Sequence, residues 1–128
     1  MRSDEAASII RSRAPGFEPR IGMVLGSGLG ALAERIDVIE TIAYPELPGF
    51  PAPGVQGHAG EFVLGWMNGV AVVCLKGRVH LYEGGPKQQP AHLVRTIRAI
   101  GARGLVLTNA AGSLRPEVGP GMPCLITD

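Results

Sequence analysis

Apolar positions along the chain fall into short blocks of two different periods. A helical spacing runs through "DEAASIIRSR" from Asp4 to Arg13, with Ala7, Ile10 and Arg11 in register, Asp4 at the N-cap and Pro15 just beyond the end. "IGMVL" (21–25) is a continuous apolar run bounded by glycine, the signature of a strand buried on both faces of a parallel or mixed sheet. A glycine turn follows it, and then a short helix around "LGALAERI". "FVLGWM" and "VAVVCLK" flank Asn68-Gly69, a pair suited to the two positive φ angles of a tight hairpin, so part of the sheet is expected to be antiparallel. From Pro86 to Ile100 the apolar set Leu93, Val94, Ile97 and Ile100 keeps a helical period, with Arg95 and Arg98 facing out and Gly101 at the C-cap. "GLVLTN" (104–109) predicts a second buried strand, and "PCLITD" (123–128) the start of a third. The fold class that emerges is α/β: a mixed, twisted central sheet flanked by helices and incomplete at the end of the chain.

Composition narrows the classes without choosing among them. The 128 residues suit one domain spanning 1–128, and 45% hydrophobic content supplies a core. Twelve Lys and Arg against eleven Asp and Glu leave a net charge of +1, which gives no electrostatic case for nucleic acid or an anionic membrane. No apolar stretch reaches the roughly 18 residues of a membrane span, and the N-terminal segment lacks a secretory apolar core, so the expected compartment is the cytoplasm. Cys74 and Cys124 each lie among apolar neighbours and are expected as buried, reduced thiols, with no metal site.

The stretch "GSGLG" (26–30) behind the first strand raises the question of what its backbone approaches. Gly26, Gly28 and Ala31 satisfy the dinucleotide fingerprint in form, but the acidic residue due about 20 positions later, at the end of a second strand, is missing: "DVIETIAY" ends in Ala43 and Tyr44. The phosphate loop, the nucleophile elbow and the zinc helix are also absent. Two uses of the turn remain open: an anion held by backbone N–H groups and the Ser27 hydroxyl, or Ser27 as an ordinary cap of the following helix.

Other polar groups bear on that choice. In "KGRVHLYEGG" (76–85), Arg78, His80 and Tyr82 alternate along one face at a strand end. Arg78 offers a planar fork for phosphate oxygens, and His80 can donate to the same anion. Glu83, three residues on, can hold the imidazole in its protonated form, and Tyr82 offers a hydroxyl and a ring face to a sugar. Each residue singly has a plain explanation as strand end or rim; together, bracketed by glycine, they point to a site. His58 lies in the long proline- and glycine-rich segment "YPELPGFPAPGVQGHAG" (44–60) and could close over a substrate. "TNAAGSL" (108–114) places small residues at a strand end, where open α/β sheets take their ligands.

Taken in order, "LGSGLG", "LPGFP", "GHAGEFVLG", "KGRVHLYEG" and "TNAAGSL" resemble the trimeric purine nucleoside phosphorylases of the 6-oxopurine class, and "NAAGSLRPEVG" with "LPGFP" resembles the bacterial inosine-guanosine or xanthosine type. The resemblance runs from about residue 21 to the end of the chain. It implies that Ser27, His58, Arg78, His80 and the N–H of Ala110 hold phosphate, that Tyr82 and Asn109 lie beside the nucleoside, and that His80, Glu83 and Tyr82 form the catalytic group. Phosphate is then a co-substrate, no cofactor is needed, and the partners are a purine nucleoside and the other subunits of a homotrimer.

The implied reaction is phosphate-dependent cleavage of the N-glycosidic bond, giving free base and pentose 1-phosphate in purine salvage. Family members are longer, and their base-reading glutamate and asparagine follow the region that resembles the end of this chain. The 128 residues are therefore expected to be an N-terminal portion of one phosphorylase domain, with little turnover alone. A truncated dinucleotide-binding domain and a non-catalytic interaction module are the rival expectations.

Overall fold

The computed structural model describes residues 2–26, 28–50, 60–77 and 89–127. Helix α1 covers Arg2–Arg13 and turns Ser3, Ala6, Ala7 and Ile10 inward. It begins two residues before Asp4, so Asp4 is not the cap; Asp4 and Glu5 occupy the first turn, where carboxylates complement the N-terminal end of the helix dipole. Strands β1 (Ile21–Val24), β2 (Asp37–Ala43), β3 (Glu61–Met67), β4 (Val70–Lys76) and β5 (Gly104–Leu107) form a single sheet in the order β2-β3-β4-β1-β5. β1 lies parallel to both β4 and β5, whereas β2, β3 and β4 are successively antiparallel. The expected mixed sheet is what the chain forms.

The hairpin between β3 and β4 turns at Asn68 and Gly69, with φ of 49° and 76°. Both angles lie in the left-handed region that Asn and Gly tolerate best, and this gives the tight turn its right-handed match to the strands. Helix α2 covers Gln89–Ala99 and ends where Gly101 takes φ of 113° and Ala102 donates to the Ile97 carbonyl. Leu93, Ile97 and Ile100 are buried as expected, but Val94 is exposed, and the buried polar residue of the helix is Thr96, whose hydroxyl donates to the His92 carbonyl.

Alternation along the strands sorts the core into two faces. Val24, Phe62, Leu64, Val73 and Leu75 point to the face that carries α1 and α2. Met23, Leu25, Val63, Val72 and Cys74 point to the other, which the 3-10 segment Gly30–Arg35 partly covers through Ala33, with Ile36 just after it. Gly22 lets α2 sit directly on β1, because a Cβ there would fall 2.4 Å from Ile97 Cγ2.

Three expectations are corrected at the sheet's far edge and in the thiols. β5 is a strand but not a buried one: it lies at the sheet edge, and Leu107 is 63% exposed. Residues 123–127 form no strand, and Leu125 and Ile126 are exposed; a strand needs a neighbour for its backbone groups, and none lies beside this segment among the described residues. Cys74 is buried and free, but Cys124 is free and exposed for the same reason.

Candidate functional site

Because β4, β1 and β5 are parallel neighbours, their C-terminal ends lie on one edge of the sheet. Val24 is level with Leu75 on one side and Leu107 on the other, which brings the Gly26 turn beside the end of β4 and the Thr108-Asn109 turn. β3 runs the other way, so its first residues reach the same edge. There Glu61 pairs with Lys76 in register, and their side chains form a 3.0 Å ion pair.

The approach made by the glycine turn has an answer here. A Cβ on Gly26 would lie 2.7 Å from the Thr108 carbonyl oxygen and 2.8 Å from Asn109 Cα, so the close neighbour is the backbone at the end of β5. The Gly26 N–H donates to Thr108 Oγ1 at 2.9 Å and is not free for a ligand. The helix after the turn is a six-residue 3-10 segment, Gly30–Arg35, with Leu29 at its N-cap and no side-chain cap. Gly28 takes φ of 84°, and nothing lies within 4 Å of where a Cβ would be.

Asn109 and Ala110 continue from this stitch, and both are exposed. The Ala110 N–H donates to no group among the described residues. Ser27, His58, Arg78, His80, Tyr82 and Glu83 lie outside the described residues. What the structure brings together is the set of stems that carry them: Gly26 and Gly28 around position 27, Gly60 after 51–59, and Gly77 before 78–88. Gly60 and Gly77 are in contact, since a Cβ on Gly77 would fall 2.9 Å from Gly60 Cα.

Sequence reasoning missed the residues that build this edge. Thr108 was a bystander in a small-residue turn, yet its hydroxyl also donates to the Val24 carbonyl at 3.2 Å. Tyr44 ended a strand in the sequence, but it opens a 3-10 turn, Tyr44–Glu46, and its ring is buried against Gly60. Its hydroxyl donates to the Gly77 carbonyl at 2.9 Å, and burial pushes the phenol's pKa well up, so it stays a neutral donor. His92 Nε2–H donates to the Pro48 carbonyl at 2.9 Å, which fixes the proton on that nitrogen. Among the described residues no group of three His, Cys, Asp or Glu could hold a metal ion, and no helix is long and apolar enough to cross a membrane.

Topology also settles the fingerprint question. β2 lies at the opposite edge of the sheet and antiparallel to β3, so it cannot supply the second parallel strand that a dinucleotide unit requires. A surface depression lined by Arg11, Arg20 and Arg103 sits at the other ends of β1 and β5, away from the Gly26 and Thr108 turns.

The sequence profile of the phosphorylase superfamily matches residues 20–128. The chain belongs to that superfamily. Among relatives within the phosphorylase superfamily, purine nucleoside phosphorylase 1 of Bacillus subtilis (strain 168) is 42% identical over 127 residues, which is 99% of this chain and 46% of that protein. Purine nucleoside phosphorylase of Bos taurus is 44% identical over 110 residues, covering 86% of this chain and 38% of that one. A solved phosphorylase, isoform 2 of purine nucleoside phosphorylase from Schistosoma mansoni in complex with cytosine and ribose-1-phosphate, superposes with a TM-score of 0.83 at 38% identity, covering 91% of this chain and 41% of that one. The chain thus spans less than half the length of these phosphorylase relatives.

Proposed function

We propose that this chain is the N-terminal portion of a purine nucleoside phosphorylase, in which phosphate is held at the C-terminal edge of β4, β1 and β5. The observation that carries this reading is similarity across almost the entire chain, 42% identity over 127 residues, to a protein of that name. The meeting of the stems at one sheet edge is in keeping with it.

In this reading an oxygen of inorganic phosphate attacks C1′ of the nucleoside, and the C1′–N9 bond breaks with its electron pair moving to the purine, which takes up a proton. The products are the free base and pentose 1-phosphate. Ser27, His58, Arg78, His80 and the Ala110 N–H hold the anion, and Tyr82 and Asn109 face the nucleoside. Glu83 orients and charges His80. Catalysis is then positioning plus electrostatics: an anion fixed beside a sugar that develops positive charge, with no covalent enzyme intermediate and no cofactor. The base pocket would come from the further length that the relatives possess. A cytoplasmic homotrimer serving purine salvage, of the inosine-guanosine or xanthosine type, completes the proposal.

Arg78→Ala in the full-length protein tests it. A charge-assisted hydrogen bond is worth roughly 1.5–3 kcal/mol, so the phosphate KM should rise about tenfold or more. An unchanged phosphate dependence would remove Arg78 from the site.

A further inference from the structure

The end of the sheet opposite the Gly26 and Thr108 turns carries a group of cations that phosphorolysis does not use. The depression there has a volume of about 650 Å³, within the range of small-molecule sites, and its charged lining is Arg11, Arg20 and Arg103 against one carboxylate, Glu18. Pro19 and Ile100, both buried, add an apolar wall. Charges of one sign beside a low-dielectric wall concentrate their field in a cleft.

The sheet sets two of these arginines side by side. Ile21 of β1 is level with Gly104 of β5, so Arg20 and Arg103, one position earlier on each parallel strand, stand abreast. Their backbones are pinned: the N–H groups of Arg103 and Gly104 both donate to the Arg20 carbonyl, at 2.9 and 3.2 Å, and the Arg20 N–H donates to the Ala71 carbonyl at 2.8 Å. Like charges abreast on a sheet repel. Among the described residues neither guanidinium forms an ion pair. Arg11 is occupied differently, since its guanidinium donates to the carbonyl of Ala99, the last residue of α2, and so offsets the negative end of that helix dipole beside the depression. Arg20 and Arg103 are left to an outside anion.

We propose that this depression is a second anion site, separate from the sheet edge assigned to phosphate, and that it takes a diphosphate group, free as pyrophosphate or carried by a nucleoside. Two planar guanidinium forks abreast suit two linked phosphoryl groups. A bound diphosphate also cancels the repulsion between them. The inference is independent of the phosphorylase reading, because none of its residues belongs to the proposed catalytic site.

The experiment titrates the full-length protein with pyrophosphate and, separately, with ADP, by calorimetry at low ionic strength, where charge attraction is least screened. The parent is compared with Arg20→Gln, Arg103→Gln and Arg95→Gln. Arg95 is an exposed arginine of α2 that does not line the depression, so its replacement makes the same charge change elsewhere. The parent is expected to bind both probes, each depression variant to bind them about tenfold or more weakly, and Arg95→Gln to match the parent. Tighter binding of ADP than of pyrophosphate would add contact between the nucleoside and Phe17 in the wall of the depression. Equal binding would make the diphosphate alone the recognised group, and either ranking upholds the site. Absence of binding by the parent would overturn the inference. So would binding that survives unchanged in both depression variants, or that falls equally in Arg95→Gln.

Discussion

Gly26 and Thr108 are joined by one hydroxyl that works in both directions. It accepts from the Gly26 N–H at 2.9 Å and donates to the Val24 carbonyl at 3.2 Å, closing the end of β1 onto the end of β5. Thr108→Val keeps the branched shape and removes both bonds, leaving the Gly26 N–H without its partner, so it should cost about 1–3 kcal/mol in urea unfolding. Gly26→Ala should do at least as much damage, since its methyl would meet backbone at 2.7 and 2.8 Å rather than a side chain able to swing aside. Stability of both variants equal to the parent's would mean that the stitch contributes nothing.

The Asn68-Gly69 turn makes a purely conformational prediction. Gly69 has φ of 76° with nothing within 4 Å of a built Cβ, so Gly69→Ala meets no clash and pays only the left-handed penalty. That amounts to about 1–2 kcal/mol for an L-residue. Gly49→Ala has φ of 82° as well, but its methyl would also fall 2.7 Å from His92 Nε2, so it should lose more stability than Gly69→Ala. A reversed order would contradict the packing described around His92.

Arg13 links α1 to β2 and to the 3-10 turn after it, with its guanidinium shared between Glu40 at 3.2 Å and Glu46 at 2.9 Å. The Arg13 hydrogen bond holds the Glu40 carboxyl below its ordinary 4.5. For Glu46 the Ala43 N–H is the larger cause and Arg13 the second. A lowered folded-state pKa means that the contribution is complete above the unfolded value and is lost as pH falls through the folded one. The melting difference between the parent and Arg13→Met should therefore exist at neutral pH and close as pH drops below 4.5. It should be small and salt-sensitive because all three side chains are partly exposed. A difference that widened in acid would refute the linkage.

Burial pushes the Cys74 thiol up to about 11, and Lys76 offsets this only in part. The thiol is the reactive form's neutral precursor, so native Cys74 should resist a thiol reagent at mildly alkaline pH and react once the protein is unfolded. Fast labelling of Cys74 in the native protein would place it elsewhere than in the core.

The parts of this architecture that could be read from the sequence are those fixed by neighbours in the chain. Asn68-Gly69 announced its hairpin because two positive φ angles demand those residue types, and Gly101 marked the end of α2 for a similar reason. Val94 was misplaced because helical periodicity locates a face only to within a residue. The exposure of β5 could not be read, because burial of an apolar strand depends on what lies beside it, and β5 is at an edge. The chemical residues Arg78, His80 and Tyr82 stood out by type and spacing. The hydrogen bonds at the strand ends did not: Tyr44 reaches Gly77 and Thr108 reaches Gly26 across 33 and 82 positions, contacts that only the folded sheet creates.

The most direct test of the account is to incubate the full-length protein with a 6-oxopurine nucleoside, with and without inorganic phosphate, and to follow released base together with the pentose product by phosphorus NMR. The account requires base release only in the presence of phosphate, matched one for one by pentose 1-phosphate. Base release at the same rate without phosphate, with free pentose as product, would contradict it, as would no release at all.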